Sequence, residues 1–203
     1  MTSKDLIQQY VDTGISIPEY QFNQLNNNLR TTYLRKRLMV GMLVDYEILM
    51  LPNDVRTDYI NKLEDKRIIF LLRYSKEPDR TINILGNRGI EFINNLDSDG
   101  IGNLLHHSNE TDKIINILLS TEGFINNLDS NGIGNLLYNS KEPEKIMNIL
   151  GNKGIEFINK LDSDEINVFI IFSKEKDKIK EIIRKYRPDI QLNESKLKLS
   201  NLI

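Results

Sequence analysis

The sequence predicts an all-α protein, in which an irregular helical cap is followed by a right-handed α-helical solenoid of about four repeats. Leucines at positions 63, 96, 128 and 161 each open a unit, and the steps between them are 33, 32 and 33 residues. Within the units, apolar residues recur at helical spacing, and no useful length of chain alternates with period 2. Such a period is typical of repeats that bury their apolar faces against their neighbours.

The non-repeating ends of the chain predict different terminal segments. Residues 1–45 predict an N-terminal cap of two or three helices, over 3–12, 18–27 and 29–44. Residues 46–186 hold the repeats, and a degenerate unit precedes the clear ones that start at 63, 96, 128 and 161. Residues 187–203 form a polar tail, in which Arg187 and Pro188 replace a helix. A solenoid needs such atypical ends because its terminal faces have no neighbour.

The first helix of each unit is predicted by an acidic start and an apolar stripe. Asp97 or Ser98 can accept free N–H groups at the helix start, and an acidic residue recurs there in every unit. Ile and Leu then follow at i, i+3 and i+4, which predicts one buried face. The residues expected in the core are Ile68, Ile101, Ile133, Ile166, Leu71, Leu104 and Leu136.

Recurring Ser and Gly residues predict where the second and third helices of each unit begin and end. A Ser recurs twelve positions after each opening Leu, and we expect it to cap the second helix: Ser75, Ser108, Ser140 and Ser173. Ile84, Ile117, Ile149 and Ile182 should be buried on that helix. The second helix should end at Gly86 and Gly151 with a left-handed residue. A short amphipathic helix that carries Phe92, Phe124 or Phe157 should come next.

The composition is that of an ordinary soluble protein. Of 203 residues, 39% are hydrophobic and 28% charged, and the net charge of −2 provides no global attraction for nucleic acid. The absence of cysteine fits a reducing compartment. We find no signal peptide and no membrane-spanning stretch, and expect a cytoplasmic protein, in the host cytoplasm or virion if the source is viral.

The repeat pattern resembles the class of α-helical repeat proteins that includes HEAT, armadillo and mitochondrial-terminator-like repeats. It is also similar in spacing to transcription-activator-like effector repeats. The resemblance covers roughly residues 46–186 and depends on the recurring Leu and Ile positions. It implies an α-solenoid that binds a macromolecule along its surface.

The sequence shows no constellation that predicts catalysis. His106 and His107 are the two histidines and are adjacent, so they cannot face one site from a helix. The Asp-Ser-Asp segments at 97–99 and 162–164 are better explained as helix caps than as paired carboxylates. We therefore predict that the chain is not an enzyme, takes no cofactor or metal, and has no small-molecule substrate.

Two repeated features favour peptide binding. Asn83, Asn116 and Asn148 hold one position in the second helix, and in armadillo-like repeats a column of helix Asn side chains grips a peptide backbone. Two positions in each unit vary while the residues around them stay the same, as recognition positions of repeat proteins do. We expect Tyr74, His107 and Asn139, which hold one of these positions, to lie at the edge of the same surface. The alternatives are codon bias with inter-unit hydrogen bonding for the Asn residues, and neutral drift for the variable pairs.

Two basic features favour nucleic acid. We call the residues Arg80, Lys113, Lys145 and Lys178 the basic column, and each could contact one phosphate per unit. The alternative is an ion pair with the Glu three residues before each base. Arg35, Lys36 and Arg37 form a dense basic segment that either contacts nucleic acid or forms a solvated helix face.

Taken together, these patterns predict a non-catalytic interaction scaffold that binds a protein or peptide on the repeat surface. The first alternative is a nucleic-acid-binding helical repeat protein. The second is a structural component of a larger assembly, such as a virion. No membrane partner is expected.

Overall fold

The computed structural model describes residues 3–13, 15–39, 41, 43–190 and 192, and within these ranges the chain is helical with no strand. The all-α prediction is confirmed. The helices are α1 (Ser3–Thr13), α2 (Glu19–Phe22), α3 (Asn27–Met39), α4 (Asp45–Leu49), α5 (Asn53–Asn61), α6 (Asp65–Tyr74), α7 (Pro78–Leu85), α8 (Asn87–Asn94), α9 (Ser98–His106), α10 (Thr111–Ser120), α11 (Phe124–Asn127), α12 (Ser130–Asn139), α13 (Pro143–Leu150), α14 (Asn152–Lys160), α15 (Ser163–Phe172) and α16 (Lys176–Tyr186).

Helices at equivalent positions in successive units pack against one another. The first helices are α6, α9, α12 and α15; α6 packs on α9, α9 on α12, and α12 on α15. The second helices are α7, α10, α13 and α16; α7 packs on α10, and α13 on α16. The third helices are α8, α11 and α14, of which α8 packs on α11. One apolar core runs through these layers from Ile7 to Ile183.

The predicted core positions are buried in the first helices and only partly so in the second. All seven Ile and Leu residues predicted for the first helices are buried, as are Ile117 and Ile182. Ile84 is half-buried, and the prediction for Ile149 was wrong because its side chain is 42% exposed. In α13 the buried stripe is formed by Ile146, Met147 and Leu150, and Ile149 lies on the flank of that stripe.

The acidic caps of the first helices are confirmed in three units. Asp97 accepts a hydrogen bond from the Gly100 N–H at 2.7 Å, and Asp129 accepts one from the Gly132 N–H at 2.7 Å. The Asp162 carboxylate accepts from two N–H groups at the start of α15. These bonds satisfy donors that have no partner within the helix, which fixes where α9, α12 and α15 begin.

The recurring serines do not cap the second helices, so that prediction was wrong. Glu77, Glu110, Glu142 and Glu175 occupy the positions just before these helices. Ser75, Ser140 and Ser173 instead end the first helices. The Ser75 and Ser140 hydroxyls accept hydrogen bonds from the N–H groups two residues later, at 3.0 and 2.8 Å. The serines therefore shape the turn between the two helices.

Glycine sets the sharp joint between the second and third helices. Gly86 and Gly151 both have φ of 53°, as predicted, but their ψ values of −133° and −125° lie outside the left-handed helical region. Each glycine ends one helix and directly precedes the next. A side chain at such φ would be strained, so these positions require Gly.

The N-terminal cap differs from its prediction in the lengths of two helices. The helix expected over 18–27 is only α2, because the chain turns after Phe22 into an Asn-rich stretch. Asn26 Oδ1 accepts a hydrogen bond from the Leu29 N–H at 3.0 Å and starts α3 two residues earlier than expected. Gly41, with φ of 66°, follows the end of α3. Of the predicted tail, residues 191 and 193–203 lie outside the described residues.

Candidate functional site

A groove with a volume of about 610 Å³ crosses three successive first helices. It begins at Ser98 and Asp99 on α9, passes over α12, and reaches Val168 and Phe172 on α15. Since it spans three units, the groove is long enough to hold several residues of a partner chain rather than one small group. We call it the first-helix groove.

The floor of the first-helix groove is aromatic. Phe157 on α14 reaches the groove beside Gly134, where an added Cβ would lie 3.4 Å from the ring atom Cζ. Its ring packs edge-on against Phe169 with centroids 5.6 Å apart. Both rings are buried, whereas Val168 and Phe172 beside them are 54% and 71% exposed. The groove therefore joins a packed apolar floor to two apolar side chains that no described residue covers.

One wall of the groove is polar and fixed by hydrogen bonds. Asn135 Nδ2 on α12 donates to the carbonyl oxygen of Ser98 on α9 at 2.8 Å. The Tyr138 hydroxyl in turn donates to Asn135 Oδ1 at 2.6 Å. This chain joins two units and holds the Tyr138 ring in one orientation, so the groove is preorganised on that side.

Carboxylates line the groove where its helices begin. Asp99, Asp164 and Glu165 line the groove and are exposed, and none of the described lining residues is Lys or Arg. The Asp99 and Glu165 side chains lie in the first turns of α9 and α15, where the helix dipole favours negative charge. The groove therefore presents a negative potential over an apolar floor, which suits a ligand that combines apolar and cationic groups.

The Asn residues predicted to grip a peptide lie on a different surface. Asn83, Asn116 and Asn148 are exposed on the second helices. Asn83 lines a cleft with Arg80 and Glu77, and Asn116 Oδ1 accepts a hydrogen bond from Lys145 Nζ at 3.4 Å. None of these residues lines the first-helix groove, so their role as a peptide grip stays a prediction.

The three variable residues predicted at the edge of the site have different surroundings. Tyr74 is exposed, with its ring centroid 4.7 Å from that of Phe70. His107 is exposed and lies against His106, with ring centroids 4.3 Å apart. Asn139 is buried, and its Nδ2 donates to the Asn135 carbonyl oxygen at 2.9 Å. The edge position expected for Asn139 is therefore corrected, because its amide bonds within its own helix.

Every base of the basic column is paired with the carboxylate three residues before it. The nitrogen-to-oxygen distances are 3.4 Å for Arg80–Glu77, 3.2 Å for Lys113–Glu110, 3.4 Å for Lys145–Glu142 and 3.6 Å for Lys178–Glu175. Arg80 also contacts Glu19 at 3.0 Å, and this hydrogen bond raises the pKa of the guanidinium above its ordinary value. The ion-pair interpretation of these bases is confirmed.

The basic segment of α3 does not form one surface. Arg35 is exposed, and Lys36 Nζ donates to Gln8 Oε1. Arg37 is 1% exposed; its Nε lies 3.4 Å from Glu47 Oε1, and its Nη2 donates to Ser16 Oγ at 2.7 Å. The surface position expected for Arg37 is therefore corrected, because this guanidinium belongs to a buried polar cluster in the N-terminal cap.

The groove residues were not predicted as a site from the sequence. The visible signal was the stretch 168–172, which is more apolar than its equivalents in the other units. In a regular repeat, extra exposed apolar side chains have no neighbour to cover them, and they indicate an interaction surface. The contribution of Phe157 from a third helix could not be seen from spacing alone.

No protein-family model, curated protein or solved structure matches this chain. Within the described residues, no three His, Asp or Glu side chains come together as ligands of one metal ion would. The same residues include no helix long and apolar enough to cross a membrane. The expectations that the chain is not an enzyme and holds no metal stay predictions.

Proposed function

We propose that this chain is a non-catalytic interaction protein, and that its first-helix groove binds a segment of a partner protein. The segment would place an apolar side chain on the floor formed by Phe157 and Phe169 and would carry Lys or Arg beside it. The observation that carries the proposal is the combination, in one groove, of an aromatic floor with exposed carboxylates at the starts of the helices that line it. Apolar contact would supply most of the affinity, and charge would supply selectivity.

We also propose that the helices stack as a right-handed solenoid whose clear units start at 63, 96, 128 and 161. Recurrent inter-unit bonds support this arrangement. The Asn109 N–H donates to the Arg73 carbonyl oxygen at 3.0 Å, and the Lys174 N–H donates to the Tyr138 carbonyl oxygen at 2.8 Å. The two bonds join equivalent positions of neighbouring units. Stacked units create the extended surfaces that repeat proteins use for binding.

Phe172 is the side chain that we expect to contribute most to binding. It is 71% exposed, and covering it would remove a large apolar area from water. Full burial of such a side chain is worth about 1.5–3 kcal/mol. An aromatic anchor of this kind is typical of a binding hot spot.

Nucleic-acid binding ranks below this proposal. The bases of the basic column each have a carboxylate within 3.6 Å, which reduces the field that a phosphate would feel. Arg37 is enclosed in the protein interior. The alternatives of a nucleic-acid binder and of a structural component have no comparable surface in their support.

A peptide library tests the proposal. Peptides that combine an apolar residue with flanking Lys or Arg would be screened against the full chain, beside a matched set with Glu in place of the basic residues. We expect binding by the basic set only, with an affinity that falls as salt rises from about 0.05 to 0.3 M. Equal binding by both sets, or by neither, would contradict the proposal.

A pair of substitutions at equivalent repeat positions locates the site. Phe172→Ala removes an anchor of the groove, while Tyr74→Ala removes the exposed aromatic residue at the same position of the first clear unit. Loss of one hot-spot side chain costs about 2 kcal/mol or more, so we expect a loss of affinity of about thirtyfold or more for Phe172→Ala. Tyr74→Ala should bind like the parent chain, because Tyr74 lies outside the groove.

A further inference from the structure

We propose that a second copy of this chain docks on the first-helix groove, and that the segment it places there is the exposed face of its own α6. This inference rests on the proposed function, since it assumes that the groove binds apolar side chains with bases beside them. It identifies the partner as the chain itself. The product is a symmetric dimer in which each copy provides one α6 face and one groove.

The exposed face of α6 has the chemistry proposed for the partner segment. Phe70 and Tyr74, one helical turn apart, are 41% and 52% exposed, and their ring centroids lie 4.7 Å apart. The Arg67 guanidinium lies 4.7 Å from the centroid of the Phe70 ring. Because the two rings and the base already pack against one another, docking immobilises them at a reduced entropic cost. This face is therefore a preorganised apolar and basic segment.

The charges of the two surfaces are opposite. The bases of α6 are Lys66, Arg67 and Arg73, and its one acid, Asp65, is paired with Arg88 at 2.5 Å. The groove instead carries three carboxylates, and none of its described lining residues is Lys or Arg. Contact of α6 with α6, or of groove with groove, would place like charges together. Electrostatics therefore favours the contact of α6 with the groove.

The two surfaces lie at the two ends of the row of first helices, in which α6 packs on α9, α9 on α12 and α12 on α15. The positions seven and eleven residues after the opening Leu are apolar and exposed in both end units: Phe70 and Tyr74 on α6, Val168 and Phe172 on α15. In the proposed solenoid these positions face the same side. A two-fold axis parallel to the helices, between α9 and α12, then brings α6 of each copy over α15 of the other. The contact is isologous and closes at two copies.

The middle of this interface is polar in both copies. On α9 the equivalent positions are Asn103 and His107, which are exposed, and α12 presents the half-buried Asn135. The two-fold axis places α9 of one copy over α12 of the other, so amide and imidazole groups meet there. A shifted alignment would set the aromatic side chains against these polar groups. The pattern of apolar ends and a polar middle therefore fixes the alignment.

The row of first helices is large enough for a dimer interface. α6, α12 and α15 have 10 residues each. A helix of that size is about 15 Å long, and four packed helices form a row about 30–40 Å wide. Two such faces cover about 1,000 Å² as flat areas, which is the lower end of the range for specific interfaces.

Charge-swap complementation provides the test. One variant carries Lys66→Glu and Arg73→Glu on α6, and the other carries Asp99→Lys, Asn131→Lys and Asp164→Lys in the groove. In sedimentation equilibrium at about 0.1 mM, the parent chain should have twice its mass of 23.6 kDa, because specific interfaces reach micromolar affinity or better. Each variant alone should be monomeric, since like charges meet at both contacts. The equimolar mixture should dimerise, because both contacts then join opposite charges.

Two results would overturn the inference. The first is a parent chain that stays monomeric at about 0.1 mM. The second is a mixture of folded variants that stays monomeric although the parent dimerises, because another surface would then form the dimer. Circular dichroism checks that each variant is folded. If a charge variant is not folded, Tyr74→Ala decides the question, because it alters one exposed side chain: an unchanged dimer would overturn the inference.

Tyr74→Ala and Phe172→Ala also separate this inference from the proposed function. Tyr74→Ala should weaken the dimer about thirtyfold or more and leave peptide binding by the dilute, monomeric chain unchanged. Phe172→Ala should weaken both, because Phe172 lines the groove. A parent chain that binds library peptides but does not dimerise would overturn the inference and leave the proposed function intact. A dimer that Tyr74→Ala weakens, without binding by any library peptide, would support the inference and contradict the proposed function.

Discussion

Arg187 Nη1 donates a hydrogen bond to the carbonyl oxygen of Leu161, at the C-terminal end of α14. The same relationship recurs along the chain. Arg88 Nη2 donates to the Leu63 carbonyl at 3.1 Å, and Lys153 Nζ bonds three carbonyl oxygens at the end of α11, two of them at 2.8 Å. A cation is favourable at a helix C-terminus, where carbonyl groups lack partners within the helix. Lys153 and Arg187 therefore hold their units to the third helix of the preceding unit, whereas Arg88 bonds the Leu that opens its own unit.

Replacing Lys153 should weaken one such junction. Lys153→Met keeps most of the aliphatic length but removes the bonds to the α11 carbonyls. We expect a loss of about 1–2 kcal/mol in the free energy of unfolding, because hydrogen bonds from a charged donor are lost. Urea denaturation would measure it, with Lys160→Met in the same helix as the control. An equal effect of both substitutions would contradict the proposed junction.

Two glycines should respond oppositely to alanine. An added Cβ at Gly134 lies at ordinary contact distance from Phe157, and Ala has a higher helix propensity than Gly. Gly134→Ala should therefore raise the free energy of unfolding by up to about 1 kcal/mol. At Gly151 the φ of 53° strains any side chain, so Gly151→Ala should destabilise by about 1 kcal/mol or more. Thermal and urea unfolding check both values. The same sign for both substitutions would contradict this explanation.

The core of the first helices should be sensitive to truncation. Leu104 is fully buried, and Leu104→Ala should cost about 2–5 kcal/mol in unfolding free energy. Ile149→Ala should cost well under that, because this side chain is 42% exposed. Urea denaturation of the two variants measures the difference. A small effect at Leu104 would show that the packing described for α9 is wrong.

The buried polar cluster of the cap predicts a loss of stability at high pH. The Tyr33 hydroxyl donates to the Glu47 carboxylate, and burial first and this carboxylate second raise the pKa of Tyr33 well above 10.0. Burial likewise raises the pKa of Tyr46. The folded state therefore holds protons that the unfolded state releases above pH 10. Each tyrosine should lower the unfolding free energy by about 1.4 kcal/mol per pH unit in that range.

Tyr33→Phe checks this pH dependence. The variant lacks one titrating hydroxyl, so urea denaturation between about pH 9 and 11 should show a shallower decline than in the parent chain. It should also be less stable at neutral pH, because buried Glu47 loses a donor. An identical slope in the two chains would show that Tyr33 does not titrate as its surroundings require.

Much of the fold was predictable because it repeats. The capping role of Asp97 and the burial of Leu104 follow from local sequence that recurs in each unit, and both are confirmed. The serine turns were misassigned because a Ser near a helix start can bond either the helix ahead or the turn before it. The short α2 was missed because the Asn residues after Phe22 compete for backbone hydrogen bonds.

The candidate site was less predictable because it is made by tertiary packing. Phe157 comes from a third helix and reaches the groove beside Gly134 of a first helix, a relationship that no sequence period contains. Arg37 lies in a basic stretch that is typical of a protein surface. Its burial depends on the ion pair with Glu47, which comes from another helix of the cap and is not visible in the local sequence. The position of Asn139 varies between units as a recognition position would, but the Asn139 side-chain amide donates a hydrogen bond to a carbonyl oxygen of its own helix.

Mapping the binding surface by backbone amide chemical shifts tests the central claim most directly. A basic, apolar peptide from the library would be titrated into the isotope-labelled full chain. We predict shifts concentrated at Gly134, Asn135 and Val168, with little change at Asn83, Asn116 and Asn148 on the second helices. Shifts concentrated at those three Asn residues, with the groove amides unchanged, would contradict the claim that the first-helix groove is the binding site.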